Sequence, residues 1–376
     1  MSEPRSAIAH PLRVAENIAH LVPYVPGKPI EEVQRELGIQ EVVKLASNEN
    51  PLGPSPKALE AIAQMAPKLH LYPDISSRTL RLALAKKLDI APESLVFGNG
   101  SDDIIHLLGV TFLEPGDEVI QADPSFVRYE AAAVLNKALC HKVPLTPDWG
   151  YDLEALLRAV TSRTRLVFIA NPNNPTGTIL SRSGIEALLD RLPEQAILVL
   201  DEAYYEYATG LPEYPECLDF VRNERNVVLL RTFSKAYGLA GLRIGYGIMR
   251  PEIAGWLERT REPFNVNLLA QTAAAAALED EAFVAQTVAV NEEGKRTLYA
   301  AFEHLGLDYT PTYGNFIFVQ VGRDGRAVAD ALLRRGVIVR FSPDFKSQTH
   351  LRVSIGTPAQ NARFLEALPE ALAEIK

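Results

Sequence analysis

The chain has 376 residues, two to three times the length of a typical domain, which predicts two lobes. Hydrophobic residues make up 47% and charged residues 23% of the sequence, a balance typical of a folded globular protein and not of a disordered one. The formal net charge of −9 disfavours a non-specific nucleic-acid binder, which needs an excess of positive charge.

The sequence also argues against a membrane-spanning protein, a zinc site and a fold held together by disulfides. No stretch approaches the roughly 18 uncharged apolar residues of a membrane helix, and the first ten residues lack the apolar core of a signal peptide. The 2 cysteines are too few for a disulfide framework, and no cysteine–histidine spacing indicates zinc. We therefore expect a cytoplasmic protein that binds neither membrane nor nucleic acid and has one non-metal site.

Along the chain, the first predicted elements are helices at 56–65 and 77–88, which follow the proline- and glycine-rich stretch NENPLGPSP. Short apolar strands and helices then alternate. The later strands lack polar alternation, which is typical of strands covered on both faces, so this part predicts an α/β layered lobe built from βαβ units. The predicted strands are 94–97, 118–122, 165–170, 196–200 and 227–230, with helices at 102–112 and 124–136.

The pattern changes towards the carboxyl terminus, where a long helix at 281–305 is placed to link two lobes. The strands and helices beyond it predict a smaller α+β lobe. We expect an N-terminal arm and part of the small lobe at 1–45, a large domain at 46–270 and a small domain at 271–376. The elements predicted for the small lobe are strands at 316–321, 337–340 and 351–355 and helices at 325–335 and 358–375.

The segment GNGSDD, at 98–103, joins a strand to a helix. Its glycines allow a tight turn, and the backbone N–H groups of Ser101 and Asp102 at the helix N-terminus are suited to bind phosphate. The alternative is an ordinary turn in which Ser101 or Asp102 caps the helix. The spacing matches neither the dinucleotide glycine fingerprint nor the Walker loop, which disfavours a nucleotide-dependent oxidoreductase.

Two further segments follow the ends of apolar strands, the edge at which open α/β sheets bind ligands. NPNNPTG, at 171–177, presents amide side chains, although asparagine and proline also simply form turns. In DEAY, at 201–204, an acid at the end of a buried strand needs a cation or a donor. Asp201 is suited to face a protonated heteroaromatic nitrogen and Tyr204 a phenolate oxygen; alternatively, Asp201 caps the next helix.

The most specific segment is RTFSKAYGLAGLRIGYG, at 231–247. Lys235 lies just past a predicted strand, with hydroxyls at Thr232 and Ser234 and a cation at Arg243. A lysine that forms a Schiff base must reach a carbonyl group and have a lowered pKa, through desolvation or nearby cations. Most lysines are solvated surface charges, but this context favours the Schiff-base interpretation.

Together these segments resemble the fold-type I pyridoxal-5′-phosphate-dependent aminotransferases and, more narrowly, the class II histidinol-phosphate aminotransferase family. The resemblance covers nearly the whole chain, and the narrower one rests on its two ends. It implies an α/β fold in which helices sandwich a mostly parallel seven-stranded sheet in the large lobe, beside a smaller α+β lobe. Five further motifs carry the resemblance along the chain: PYVPGKPIEEV, KLASNENPLGPSP, LYPD, GVIVR and LRVSIGT.

The resemblance implies pyridoxal phosphate as the cofactor and gives roles to the residues singled out above. Lys235 would form the Schiff base and then move the proton between the substrate Cα and the cofactor. Asp201 would pair with the pyridinium nitrogen. Asn174 and Tyr204 would hydrogen-bond the ring oxygen O3′, and Phe126 would stack on the ring, where the family often has tyrosine.

The resemblance also implies a homodimer with shared sites. Tyr72 would reach the cofactor phosphate in the other subunit, as Tyr24 would reach the other subunit's substrate. Arg352, with Arg340 and Asn174, would bind the anionic groups of the substrates. The cofactor phosphate would be held by Ser101, Asp102, Thr232, Ser234 and Arg243.

The implied reaction is transamination of L-histidinol phosphate with 2-oxoglutarate, giving imidazole acetol phosphate and glutamate in histidine biosynthesis. The segment FSPDFKSQTH, at 341–350, departs from the glycine-containing loop expected in close relatives, and this bears on fine substrate preference. The alternatives are an aromatic or dual-specificity aminotransferase, a phospho-amino-acid decarboxylase of the same fold, and a non-catalytic small-molecule-binding protein. The last of these would be expected to have lost Lys235 or Asp201, and both are present.

Overall fold

The structure, a computed structural model, describes residues 13–19, 21, 23 and 27–375. Its strands form one large sheet, one three-stranded sheet and one two-stranded pair. In chain order the strands are β1 (Val43–Leu45), β2 (Leu95–Gly98), β3 (Glu118–Asp123), β4 (Leu139–Pro144), β5 (Thr164–Ala170), β6 (Ile197–Asp201), β7 (Val227–Thr232), β8 (Gly245–Met249), β9 (Tyr309–Thr310), β10 (Phe316–Gln320), β11 (Val337–Val339) and β12 (His350–Ser354).

The helices range from single turns to a helix of 24 residues that runs from Glu281 to His304. Several helices begin at a side-chain cap. At the helix after Thr357 the cap is a capping box, in which the Thr357 hydroxyl accepts from the backbone N–H of Gln360. In chain order the helices are α1 (Glu16–Ala19), α2 (Ile30–Leu37), α3 (Pro56–Met65), α4 (Arg78–Leu88), α5 (Ser101–Phe112), α6 (Arg128–Leu135), α7 (Leu153–Ala159), α8 (Arg182–Arg191), α9 (Tyr205–Ala208), α10 (Leu218–Arg222), α11 (Pro251–Thr260), α12 (Leu268–Leu278), α13 (Glu281–His304), α14 (Gly325–Arg334) and α15 (Pro358–Glu374).

The large sheet has seven strands in the order β2-β8-β7-β6-β5-β3-β4. Strand β8 is antiparallel to both of its neighbours, whereas the other pairs are parallel. The carboxyl ends of the parallel strands therefore meet at one edge of the sheet, the edge at which ligands bind in such folds. The predicted mostly parallel seven-stranded sheet is confirmed.

Both faces of this sheet are buried under helices, as the unbroken apolar runs of its strands predict. On β5, Val167 and Ile169 belong to one hydrophobic cluster and Leu166 and Phe168 to another, because alternate side chains leave opposite faces of a strand. The first cluster includes residues of α3, α4, α8, α10 and α12, and the second includes residues of α5, α6 and α11. The sheet is thus the middle layer of three.

The small lobe has its own core around an antiparallel sheet in the order β12-β10-β9. Strand β1, from the N-terminal part of the chain, pairs in parallel with β11, so that Leu45 lies opposite Val339. Leu45 belongs to the small-lobe cluster with residues of α13, α14 and α15. Strand β1 therefore packs with elements from the carboxyl-terminal part of the chain.

Three of the differences from the sequence-based prediction lie in the large sheet and beside it. The helix predicted at 124–136 begins at Arg128, because Pro124 to Val127 form the turn that brings Phe126 to the cavity. Strand β4 was not predicted because it is largely exposed at the sheet edge and rich in polar residues. Strand β8 was not predicted because its two glycines, Gly245 and Gly247, resemble a turn. Among the described residues, no helix is long and apolar enough to span a membrane.

Candidate active site

A cavity of about 270 Å³ lies at the carboxyl edge of the large sheet, where β5, β6 and β7 end, and β12 of the small lobe closes its other side. The structure brings nearly all the predicted site residues to it. Those that line it are Ser101, Asp102, Phe126, Asn174, Asp201, Tyr204, Thr232, Ser234, Lys235, Arg243, Arg340 and Arg352.

Lys235 lies three residues beyond the end of β7 and reaches into the cavity. Its Nζ donates to the Ser47 carbonyl at 3.3 Å and lies 5.8 Å from the centre of the Tyr204 ring. Burial, helped by the positive charge of Arg352, lowers the pKa of the Lys235 amine to about 8, while Glu49 opposes the shift. A substantial fraction of the amine is therefore neutral near physiological pH, as Schiff-base chemistry requires.

Asp201 ends β6 and is buried, with 5% of its surface exposed. Its Oδ2 accepts a hydrogen bond from the Tyr129 hydroxyl at 2.8 Å, whereas its buried Oδ1 has no partner at hydrogen-bonding geometry among the described residues. Burial raises the pKa of Asp201 to about 6, although Tyr129 and the Ala203 amide oppose the shift. A buried carboxylate oxygen of this kind is suited to a protonated ring nitrogen.

Tyr204 and Asn174 lie side by side and connect the large lobe to the small lobe. Asn174 Nδ2 donates to Tyr204 Oη at 3.3 Å, and Arg352 Nη1 donates to Asn174 Oδ1 at 2.6 Å. Arg352 Nη2 donates to the Ala46 carbonyl at 2.7 Å. Arg340 is paired with Arg352 through an antiparallel backbone bridge, so both arginines are held at the same side of the cavity.

The phosphate-binding end is formed by the start of α5 and the loop after β7. Helix α5 begins after Gly100 without a side-chain cap, which leaves the first N–H groups of the helix for a ligand. Gly100 has a φ of +82°, and a Cβ there would lie 2.5 Å from Arg243 Nη2, so only glycine allows the guanidinium to approach this turn. Arg243 Nη1 also donates to Ser234 Oγ at 3.4 Å.

Together these features fit pyridoxal phosphate. The buried, unpartnered Asp201 Oδ1 and the glycine turn against Arg243 are what a pyridine nitrogen and a phosphate group require at the two ends of one ligand. Lys235, with its lowered pKa, lies in the same cavity. The Asp102 carboxylate is paired with Arg128 at 2.6 Å, so its negative charge is balanced beside the phosphate-binding end.

Among the described residues, one predicted site residue, Tyr72, is not part of the cavity lining. Tyr72 is 81% exposed and stacks on Phe264, with 4.7 Å between ring centres. The Tyr72 ring therefore lies on the surface of the subunit. Tyr24 lies outside the described residues.

Several contributors to the site were not predicted from the sequence, and three of them hold other site residues in place. Tyr129 is fully buried, stacks on Phe168 at 4.7 Å and holds Asp201. Asn48 hydrogen-bonds Tyr204, and Ala46 provides a carbonyl to Arg352. Two signals were available: in the helix predicted at 124–136 Tyr129 follows Phe126 by about one turn, and Asn48 belongs to the stretch NENPLGPSP.

Comparison with known proteins shows which class of enzyme has this fold and site. Residues 40–368 match the family described as aminotransferase class I and II. The fold, the presence of Lys235 and Asp201 in one cavity and this match define a pyridoxal-phosphate-dependent aminotransferase of fold type I.

The relatives narrow the assignment. The chain is 54% identical to histidinol-phosphate aminotransferase of Moorella thermoacetica over 359 residues. The matched region covers 95% of this chain and 92% of the relative. The chain is 45% identical to histidinol-phosphate aminotransferase 2 of Carboxydothermus hydrogenoformans, over 96% of this chain and 99% of the relative. The crystal structure of histidinol-phosphate aminotransferase from Sinorhizobium meliloti in complex with pyridoxal-5′-phosphate superposes with a TM-score of 0.88 at 30% identity, over 98% and 99% of the two chains. The chain belongs to the histidinol-phosphate aminotransferase family.

Proposed function

We propose that this enzyme transfers the amino group of L-histidinol phosphate to 2-oxoglutarate, giving imidazole acetol phosphate and glutamate in the biosynthesis of histidine. One observation of the site carries the proposal: Arg352 and Arg340 lie together at the small-lobe side of the cavity. A paired cationic wall suits substrates that carry a phosphate or a carboxylate. The names of the relatives, at 54% and 45% identity, support the same substrate.

Pyridoxal phosphate, when bound, supplies an electron sink that stabilises negative charge at the substrate Cα. The residues that would hold it are distributed by function. Asp201 Oδ1 would keep the ring nitrogen protonated, Tyr204 and Asn174 would hydrogen-bond the ring oxygen, and Phe126 would cover the ring. The phosphate would be bound by Arg243, Thr232, Ser234 and the N–H groups of Ser101 and Asp102.

Lys235 would provide the amine that holds the cofactor aldehyde and would then act as the general base and acid. Burial and Arg352 lower the pKa of the Lys235 amine to about 8, close to the pH at which the enzyme works. General acid–base catalysis is most effective when the pKa of the catalytic group lies near the working pH. The Ser47 carbonyl, at 3.3 Å, orients the amine. The same side chain can thus accept and return a proton.

Arg352 would bind the anionic group of each substrate in turn. Its guanidinium is already oriented by Asn174 and by the Ala46 carbonyl, so less side-chain entropy is lost on binding. A planar guanidinium can pair with phosphate or carboxylate through two parallel hydrogen bonds. One residue can therefore serve both halves of the reaction.

We further propose a cytoplasmic homodimer in which Tyr72 and Tyr24 of each subunit reach the other subunit's site. The support for an interface is the exposed ring of Tyr72, stacked on Phe264, beside the exposed apolar side chains of Leu69, Leu71 and Ile75. Apolar side chains clustered at this density favour a protein–protein contact. Sedimentation velocity of the wild type and of Tyr72→Glu would test this, because a charge in such an interface weakens the dimer.

We also propose the division into an N-terminal arm to residue 45, a large domain and a small domain. We place the second boundary near Asp280 and not at the predicted 270/271. The reason is that α12 (Leu268–Leu278) packs on α3 and α4 and contributes Ala273 and Ala277 to the large-domain core.

The substrate assignment is tested by a panel of amino donors with 2-oxoglutarate as acceptor. We expect kcat/KM for L-histidinol phosphate to exceed that for phenylalanine and tyrosine by at least about tenfold, since the donor phosphate adds charge-assisted hydrogen bonds. Parity or reversal would identify an aromatic or dual-specificity aminotransferase. Release of carbon dioxide without glutamate formation would identify a decarboxylase.

A further inference from the structure

Asn48 connects the small-lobe strand β12 to Tyr204 of the large lobe. Its Nδ2 donates to Tyr204 Oη at 2.9 Å, and its Oδ1 accepts from Ser354 Oγ at 2.8 Å. Asn48 is 1% exposed, so water does not compete for these contacts. Ser354 lies two residues beyond Arg352 on β12, so the two side chains leave the same face of the strand.

The structure gives each of these hydrogen bonds a direction. The Asn48 backbone N–H, which can only donate, donates to Ser354 Oγ at 2.8 Å. The single hydroxyl proton of Ser354 is then available for Asn48 Oδ1, which orients the amide so that its Nδ2 faces Tyr204. Ser354 therefore sets Asn48 as a donor to the phenol.

The same logic applies on the other side of Tyr204. Arg352 can only donate, so Asn174 Oδ1 accepts from it at 2.6 Å and Asn174 Nδ2 faces Tyr204 at 3.3 Å. Two amides, each oriented by a residue of β12, thus donate to one phenolic oxygen. Both lone pairs of that oxygen are engaged, and the hydroxyl proton is directed away from the two amides.

The backbone of Asn48 supports a specific role for this residue. Its φ is +53°, a left-handed conformation that asparagine tolerates better than most residues. Its carbonyl accepts from Asn315 Nδ2 at 3.1 Å, which ties the segment to the start of β10. The side chain is therefore presented to Tyr204 from a backbone that is held at both of its polar groups.

We propose that Asn48 and Ser354 are positioning residues that fix the Tyr204 hydroxyl as an acceptor towards the protein and a donor towards the ring oxygen of the cofactor. The proposal rests on the role of Tyr204 proposed above. Donation to this ring oxygen favours the unprotonated form of the bound chromophore. Loss of the directing contacts raises the pH at which the chromophore changes colour.

The test uses the holoenzyme and measures the pH midpoint of the visible absorbance of the bound cofactor, with the Kd of the apoprotein for pyridoxal phosphate as a second readout. We expect Ser354→Ala to raise the midpoint by about half a unit and to weaken cofactor binding about threefold, the effect of one neutral hydrogen bond. Asn48→Asp keeps a side chain that tolerates the backbone but replaces the donor with an acceptor. We expect it to shift the midpoint further in the same direction.

A matched control is Ser342→Ala, which removes a buried hydroxyl of the same lobe that bonds within its own turn, to Asp344 at 2.9 Å. It should leave the midpoint unchanged. In a Tyr204→Phe background, Ser354→Ala should cause no further shift, because the hydroxyl through which it acts is gone.

The outcomes separate the two proposals. If Tyr204→Phe shifts the midpoint and Ser354→Ala and Asn48→Asp do not, the positioning role is wrong while the role of Tyr204 stands. If Ser354→Ala shifts the midpoint equally with and without the Tyr204 hydroxyl, the positioning role is also wrong. If Tyr204→Phe itself causes no shift, the proposed role of Tyr204 fails and the inference fails with it.

Discussion

The two walls of the cavity are built differently. On the large-lobe wall, Asp201 and Thr232 end neighbouring parallel strands, and Lys235 follows within a few residues. On the small-lobe wall, Arg352 is held by groups 178 and 306 residues away along the chain, at Asn174 and Ala46. One wall is fixed by the sheet itself, and the other exists only when the lobes come together.

This difference separates two tasks. The cofactor stays bound through many turnovers, so its acid, base and phosphate contacts benefit from a rigid sheet edge. The substrates are exchanged in every half-reaction, and Arg352, which donates hydrogen bonds to the neutral oxygens of Asn174 and Ala46, keeps its positive charge for their anionic groups. We therefore propose that the large-lobe wall governs whether chemistry occurs and that the small-lobe wall governs how well each substrate is bound.

The strongest way to test this division is to remove the large-lobe amine. Lys235→Ala should lower kcat at least about 10³-fold, because no other group provides both the attachment and the proton transfer. The purified variant should also lack the absorbance of a protein-attached cofactor. Steady-state kinetics and visible spectra measure the two effects.

The control for this variant is Lys86→Ala, which removes an exposed lysine of α4 outside the cavity. It should retain wild-type turnover and colour. Turnover near the wild-type level in Lys235→Ala would show that the base has been assigned to the wrong residue.

A smaller effect is expected on the opposite wall. Arg352→Ala removes charge-assisted hydrogen bonds that contribute about 2 to 4 kcal/mol, so kcat/KM for both L-histidinol phosphate and glutamate should fall about 30- to 1000-fold. Single-turnover measurements of each half-reaction resolve the two substrates. Arg326→Ala, which removes an exposed small-lobe arginine packed 4.9 Å from the Phe341 ring, is the matched control. A loss confined to one substrate would contradict the shared anion site.

The same contrast explains what the sequence could predict. The large-lobe residues come in short motifs at strand ends, and parallel strands bring their carboxyl ends to one edge, so Asp201 and Lys235 could be placed together from local pattern alone. The apolar runs of β5, β6 and β7 also predicted a sheet covered on both faces. Strand β8 was not predicted because its glycines, which allow the close approach of α5, are residues typical of a turn.

The small-lobe wall could not be predicted from local sequence patterns, because its contacts join residues that are far apart in the chain. Arg352 and Arg340 were placed by resemblance, whereas the bonds from Arg352 to Ala46 and from Ser354 to Asn48 span 306 residues of sequence. Tyr129 was missed for a related reason. A tyrosine in an apolar helix is usually a core residue, and only the fold shows that its hydroxyl meets Asp201.

The finest test links the two walls through charge. Because burial and Arg352 both disfavour the protonated Lys235 amine, its pKa is lowered to about 8, and only the neutral amine attacks the cofactor aldehyde. Below pH 8 the rate at which apoprotein captures pyridoxal phosphate should therefore rise about tenfold per pH unit and then level above it. Stopped-flow absorbance over pH 6 to 10, at constant ionic strength, measures this profile.

Arg352→Ala should move that profile to higher pH, since removing a nearby cation lets the Lys235 amine keep its proton longer. Arg326→Ala should leave it in place. An unmoved profile in Arg352→Ala would mean that burial alone sets the pKa and that the small-lobe wall acts only on substrate. A shift would mean that closing the lobes both completes the anion site and prepares the amine, so that substrate binding and base strength are coupled through one guanidinium.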